Sequence, residues 1–152
     1  MALTGKLETQ IEIKTPAEKF YKTWKAQCHN LPNATPDNMH AVEVHHGDWE
    51  SDGSIKIWNY SVGGRKETYK EIIETNDETR SVALVGLEGD VFKHYKSWKP
   101  IVTATPKADG SGSVLTLTLE YEKLKEDVPV PHEYLDFMVR VNKDLDEHLV
   151  SN

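Results

Sequence analysis

Between Met39 and Tyr121 the chain alternates short apolar runs with turn signals. These are His46-Gly47-Asp48, Ser51-Asp52-Gly53, Gly63-Gly64, Asn76-Asp77-Glu78, Glu88-Gly89-Asp90 and Lys107-Ala108-Asp109-Gly110-Ser111-Gly112. Gly, Asn and Asp at such points supply the backbone angles that tight hairpins require. Their spacing of roughly 10 to 20 residues predicts a meander of antiparallel strands. The cleanest strand runs from Ser113 to Tyr121, with Leu115, Leu117, Leu119 and Tyr121 on one face and Thr116, Thr118 and Glu120 on the other. That pattern describes a strand covered on one side and wet on the other. An earlier strand, Lys6 to Lys14, sets Leu7, Thr9, Ile11 and Ile13 against a polar face.

Two helical patterns complete the plan. Thr15-Pro16-Ala17-Glu18 reads as an N-cap, a proline at the first helical position and a first-turn acid. Ala17, Phe20, Tyr21 and Trp24 then recur on one helical face. Pro32 and Pro36 confine the next stretch to short helical turns or loops. From about Pro131 to Leu149 a long helix carries Tyr134, Met138, Val141, Leu145 and Leu149 on one stripe, widened by Phe137 and opposed by charged residues. The order is strand, helix, short second helix, six strands, long helix. A curved antiparallel sheet with the long helix across its concave face buries every stripe at once, an α+β arrangement. One domain over residues 1–152 is expected.

Composition removes several functions. Eighteen basic against 25 acidic residues leave a net charge of −7, which opposes capture by nucleic acid or anionic lipid. No stretch approaches the ~20 apolar residues that a bilayer requires, so no membrane insertion is expected. The N-terminal residues lack the apolar core of a secretory signal and the Arg-rich pattern of a transit peptide, so a cytosolic location is expected. Cys28 stands alone, which excludes an internal disulfide. His45 and His46 are adjacent and would point to opposite sides of a strand, and the other histidines show no ligand spacing. No metal and no cofactor are expected.

Several segments together resemble a known family: GDWESDGSIKIWNYSVGG, KEIIETNDETRSVALVGLEGD, YKSW and LEYEKLKEDVPVPHEYLDFM. They are similar to the major latex protein branch of the plant Bet v 1 (birch-pollen allergen, pathogenesis-related) family, and the similarity runs from about Leu3 to Leu149. The resemblance implies a helix-grip fold: a curved seven-stranded antiparallel sheet wrapped on a long C-terminal helix, with two short helices, enclosing a hydrophobic cavity. The family's glycine-rich loop corresponds to Gly47 through Gly53, where Asp48, Glu50 and Asp52 would repel a phosphate. A tight hairpin with Trp49 packed on or beside it is the expectation.

From the residues alone the inward aromatic and aliphatic side chains make an ordinary core. The resemblance implies instead that they surround a ligand. On that reading the binding residues are Phe20 and Trp24 on the first helix, Lys56, Trp58 and Tyr60 on one strand, and Leu84, His94 and Trp98 farther along. Leu115, Leu117, Leu119 and Tyr121 follow on the Ser113–Tyr121 strand, and Tyr134, Met138, Val141 and Leu145 on the last helix. Lys56, Tyr60, His94 and Tyr121 would be polar handles in apolar walls. The expected function is a monomeric, cytosolic plant protein that sequesters or carries a steroid-, flavonoid-, hormone- or lysolipid-like molecule in defence or stress responses. Some relatives catalyse condensation or isomerisation in alkaloid biosynthesis with a cavity lysine. The condensing lysine's position falls on Thr116, on the wet face of its strand. An enzyme of specialised metabolism, and a module that works through a protein partner, are the alternative readings.

Overall fold

The computed structural model describes residues 3–151. Among them seven strands form one antiparallel sheet: β1 (Thr4–Ile13), β2 (Met39–His46), β3 (Ile55–Val62), β4 (Arg65–Asn76), β5 (Ser81–Gly89), β6 (Tyr95–Pro106) and β7 (Ser113–Lys123). Their order across the sheet is β1-β7-β6-β5-β4-β3-β2. Strands β2 to β7 pair with their sequence neighbours, as a meander must. The N-terminal strand closes the other side by pairing with β7, from Thr4↔Glu122 to Ile13↔Ser113. Helices α1 (Ala17–Ala26) and α2 (Leu31–Ala34) bridge the two edge strands in sequence, and α3 (His132–Val150) lies against β1, β3, β7 and α2. The helix-grip expectation matches this arrangement.

Local chemistry explains most elements, with some corrections. Leu115, Leu117 and Leu119 are fully buried, as their alternation requires. Thr118, expected on the wet face, is also buried, because Glu8 on β1 accepts its hydroxyl at 3.0 Å and lies over it. The first two turn signals belong to a single loop between β2 and β3, in which Asp48 accepts from the Glu50 and Ser51 amides at 2.9 and 2.7 Å. Trp49 packs edge-on against His29, with ring centroids 5.1 Å apart. Thr15 does not cap α1: Pro16 occupies the cap position without a side-chain bond, and the Thr15 hydroxyl donates to Asp146 of α3 at 2.6 Å.

The meander is interrupted between β5 and β6, which pair only over Ser81–Ala83 and Ile101–Thr103. Pro100, next in β6, has no N–H to continue the ladder. The Tyr69 hydroxyl enters the gap, 2.6 Å from the Leu84 carbonyl and 3.2 Å from that of Trp98. Gly86 makes room for it, since a Cβ there would lie 2.8 Å from the Tyr69 oxygen. The strands are joined by a 3-10 turn, Asp90–Lys93, rather than by a tight hairpin.

Candidate functional site

Beneath α3 the concave face of the sheet encloses an apolar cavity of about 80 Å³. Trp24 enters from α1, Trp58 and Tyr60 from β3, and Leu84 from β5. Trp98 and Leu119 come from β6 and β7, and Tyr134, Met138 and Val141 from α3. All of these were expected from strand phase, the helical stripe or the family resemblance. Trp24 and Trp58 stack obliquely at 6.2 Å, and Trp98 meets Tyr134 edge-on at 4.9 Å. The tryptophans therefore narrow the space as well as wall it. A volume of this size holds a few waters, whereas pockets for drug-sized ligands span about 300–1,000 Å³. Any larger occupant must displace part of the wall.

Polar atoms gather at one end of this space. Glu67 on β4 accepts from Tyr60 at 3.0 Å and from Tyr134 at 3.0 and 2.8 Å through its two oxygens. Burial, and then the Glu67 carboxylate, push both phenols well above their ordinary range, so both remain O–H donors. Outside Tyr134 lies a surface groove of about 520 Å³, to which Arg65, Glu67, His94, Tyr95 and Glu133 also contribute. Tyr134 thus forms part of both walls. Arg65 pairs with Glu133 on its outer side, tying the β3–β4 hairpin to the first turn of α3.

The far half of α3 is anchored differently. Asp146 accepts from the Thr15 hydroxyl at 2.6 Å, the Thr15 amide at 2.9 Å and the Lys14 amide at 3.1 Å. Asp144 accepts from Thr35 at 2.7 Å, which holds the helix to the end of α2. Asn142 accepts from the Trp24 indole at 2.9 Å and donates to the Met138 carbonyl at 2.7 Å.

The remaining expected binding residues lie away from the cavity lining. Phe20, Leu115, Leu117 and Leu145 are fully buried in packed core. Lys56 is also fully buried and lies outside the cavity lining, with Glu71 opposite it in the β3–β4 register. His94 is exposed in the outer groove. Tyr121 folds over Gly5 of β1, where a Cβ would collide with its ring. Thr116 lies on the outer face within reach of Gln10 at 3.2 Å. Conversely, Met39, Tyr69, Val82, Pro100, Val102, Phe137 and Asn142 line the cavity although none was singled out as binding. Tyr69 shares the strand phase of Glu67 and Glu71, and Asn142 interrupts an apolar stripe one turn after Met138. Those were the readable signals.

Comparison with known proteins agrees with this geometry. The family model described as the pathogenesis-related protein Bet v 1 family matches residues 2–152. MLP-like protein 43 of Arabidopsis thaliana is 42% identical over 151 residues, covering 99% of this chain and 96% of that one. MLP-like protein 34 from the same plant is 43% identical over 149 residues, and there the chain spans about half the relative's length (47%). The crystal structure of ginseng major latex-like protein 151 from Panax ginseng superposes with a TM-score of 0.92 at 36% identity, covering 97% of this chain and 98% of that one. With its sheet order, its grip on α3 and its sequence all in agreement, the chain belongs to the pathogenesis-related protein Bet v 1 family, on the branch of the major latex proteins.

Proposed function

We propose that this protein binds a hydrophobic small molecule beneath α3, sequestering or carrying it without a covalent step. The observation that supports this reading is the distribution of polarity. The cavity walls are aromatic and aliphatic, while Tyr60, Tyr134 and Glu67 form a compact hydrogen-bonding group at one end, next to an outer groove. Apolar area removed from water contributes ~25 cal/mol per Å² before ordering costs, and the phenols orient the ligand. The closed volume is small, so binding swings Tyr134 and the first half of α3 outward. A steroid-, flavonoid-, hormone- or lysolipid-like molecule is the ligand class, and a monomeric cytosolic protein acting in plant defence or stress is the setting. No helix among the described residues is long and apolar enough to cross a membrane.

The test combines native mass spectrometry of protein from its own tissue with titration of a polarity-sensitive apolar dye. Trp24, Trp58 and Trp98 line the cavity, so bound dye gains fluorescence while tryptophan emission falls by energy transfer. Absence of both a retained ligand mass and dye binding at micromolar concentrations rejects the carrier reading.

A further inference from the structure

Lys56 and Glu71 stand directly opposite one another across β3 and β4, and both are fully buried. Facing Cβ atoms in an antiparallel pair are about 5 Å apart, near enough for an ammonium and a carboxylate to meet. They do not. Glu71 Oε1 accepts from the Trp58 indole at 3.0 Å, but Glu71 Oε2 and Lys56 Nζ have no hydrogen-bond partner among the described residues. Leaving buried ionisable groups unpaired is costly, and native proteins rarely leave such atoms without a purpose. A third group that met both ends would satisfy them.

The surroundings decide its chemistry. Cys28 faces the pair from the turn after α1; burial pushes its thiol up to about 12, and it donates to the Trp24 carbonyl. Tyr69, on β4 beside Glu71, is raised by burial and stays a neutral phenol. Asp48, in the exposed β2–β3 loop, lies within electrostatic reach of Lys56. The compartment therefore holds one ammonium and one carboxyl. One ammonium balances a single negative charge, so a dianionic phosphate is left uncompensated and a second ammonium is repelled. Trp58 is the partition, because the same indole that bonds Glu71 also lines the cavity.

We infer that Lys56 and Glu71 form an acid-recognition subsite behind Trp58, taking the carboxylate of an amphipathic ligand whose apolar body fills the cavity. This rests on the carrier reading above. Trp58 swings aside, Lys56 donates to the carboxylate, and protonated Glu71 donates a second hydrogen bond, taking its proton from solvent where the pH is above about 7. Burial already holds Glu71 at about 7, and an anion beside it raises it further. Below about pH 7 the proton is in place and acid affinity is flat, down to the ligand's own ionisation near ~4–5. Above it, each pH unit weakens binding by up to about tenfold, because a proton must be taken up.

Phenylpropanoic acid, phenylpropanol and phenylpropylamine, titrated into the full chain by calorimetry and by displacement of the apolar dye, provide the test. At about pH 6 the acid binds at least about tenfold more tightly than the alcohol, and the amine binds weakest. The acid's advantage shrinks above about pH 7. Glu71→Gln flattens that pH dependence and keeps the preference for the acid. Lys56→Met abolishes the preference, and the double variant Lys56→Met/Glu71→Gln provides the same reading if the single one fails to fold. Equal binding of acid and alcohol at every pH overturns the subsite and leaves the carrier reading standing. Failure of all three to displace a bound dye also overturns the subsite, and failure of the dye itself to bind overturns the carrier reading.

Discussion

The Tyr134 hydroxyl reaches both oxygens of Glu67, at 2.8 and 3.0 Å, and so ties the first turn of α3 to β4 where the cavity wall and the outer groove share Tyr134. Beyond it α3 runs over a void until Val141. From Asn142 onward, side-chain hydrogen bonds to α1, α2 and the β1–α1 junction hold it. The helix is therefore fastened at one end by the half-buried Tyr134–Glu67 contact and the exposed Arg65–Glu133 pair, and at the other by several buried bonds. On the carrier reading proposed above, this asymmetry assigns opening to the N-terminal half.

Removing the Tyr134–Glu67 contact tests this directly. Tyr134→Phe keeps the ring in the wall and deletes the donor to Glu67. A hydrogen bond to a charged group contributes about 1.5–3 kcal/mol, and Tyr134 is only half-buried, so a loss of about 1 kcal/mol is expected from urea melts. Dye association and dissociation, followed by stopped-flow fluorescence, should both accelerate. Unchanged rates would place the entry path elsewhere.

Met138 separates a wall from a core. In a packed interior Met→Ala costs about 2–5 kcal/mol, but Met138 borders the void and is only partly buried. Met138→Ala is expected to cost about 1–2 kcal/mol, and to shift the order of affinities across steroids, flavonoids and lysolipids toward bulkier members. A severe loss of stability with an unchanged order would mark this helix face as structural core.

The two halves of α3 should differ in hydrogen exchange. Residues near Tyr134–Val141 exchange faster than β7 and slow when ligand saturates the cavity, whereas the segment around Asp146 is little affected. Asp146→Asn replaces a charged acceptor with an amide that presents a donor to the Lys14 and Thr15 amides. It should cost about 2–4 kcal/mol in denaturant and erase the difference between the halves.

Glu71 sets a pH dependence of stability. Its carboxyl is raised from 4.5 to about 7 by burial, partly offset by the Trp58 hydrogen bond and Lys56. Between those values the folded state holds a proton that the unfolded state has released. Stability therefore falls as pH rises, by up to about 1.4 kcal/mol per unit, and levels off above about pH 7. Urea melts from about pH 4.5 to 8 should show this slope in the parent protein and not in Glu71→Gln. Parallel profiles would mean that Glu71 titrates normally.

What the sequence determined by itself was periodic. The alternation through Leu115, Leu117 and Leu119, the turn residues between Met39 and Tyr121, and the stripe from Tyr134 to Leu149 assign element types and inward faces, because side-chain direction repeats every two or every 3.6 residues. The ordered motifs added the family. Periodicity states which side a residue faces, not how far along the strand it lies. Leu115, Leu117 and Leu119 share one face, yet only Leu119 reaches the cavity. The same holds for Lys56, in phase with Trp58 and Tyr60 but buried outside the cavity lining. Partners distant in sequence decided the rest. β1 pairs with β7, Asp146 is buried only because Thr15 and the Lys14 amide meet it, and β5 parts from β6 where Pro100 lacks a donor and Tyr69 supplies one from another strand. A polar residue's burial depends on the partner that satisfies it, and that partner is named only when the chain has folded.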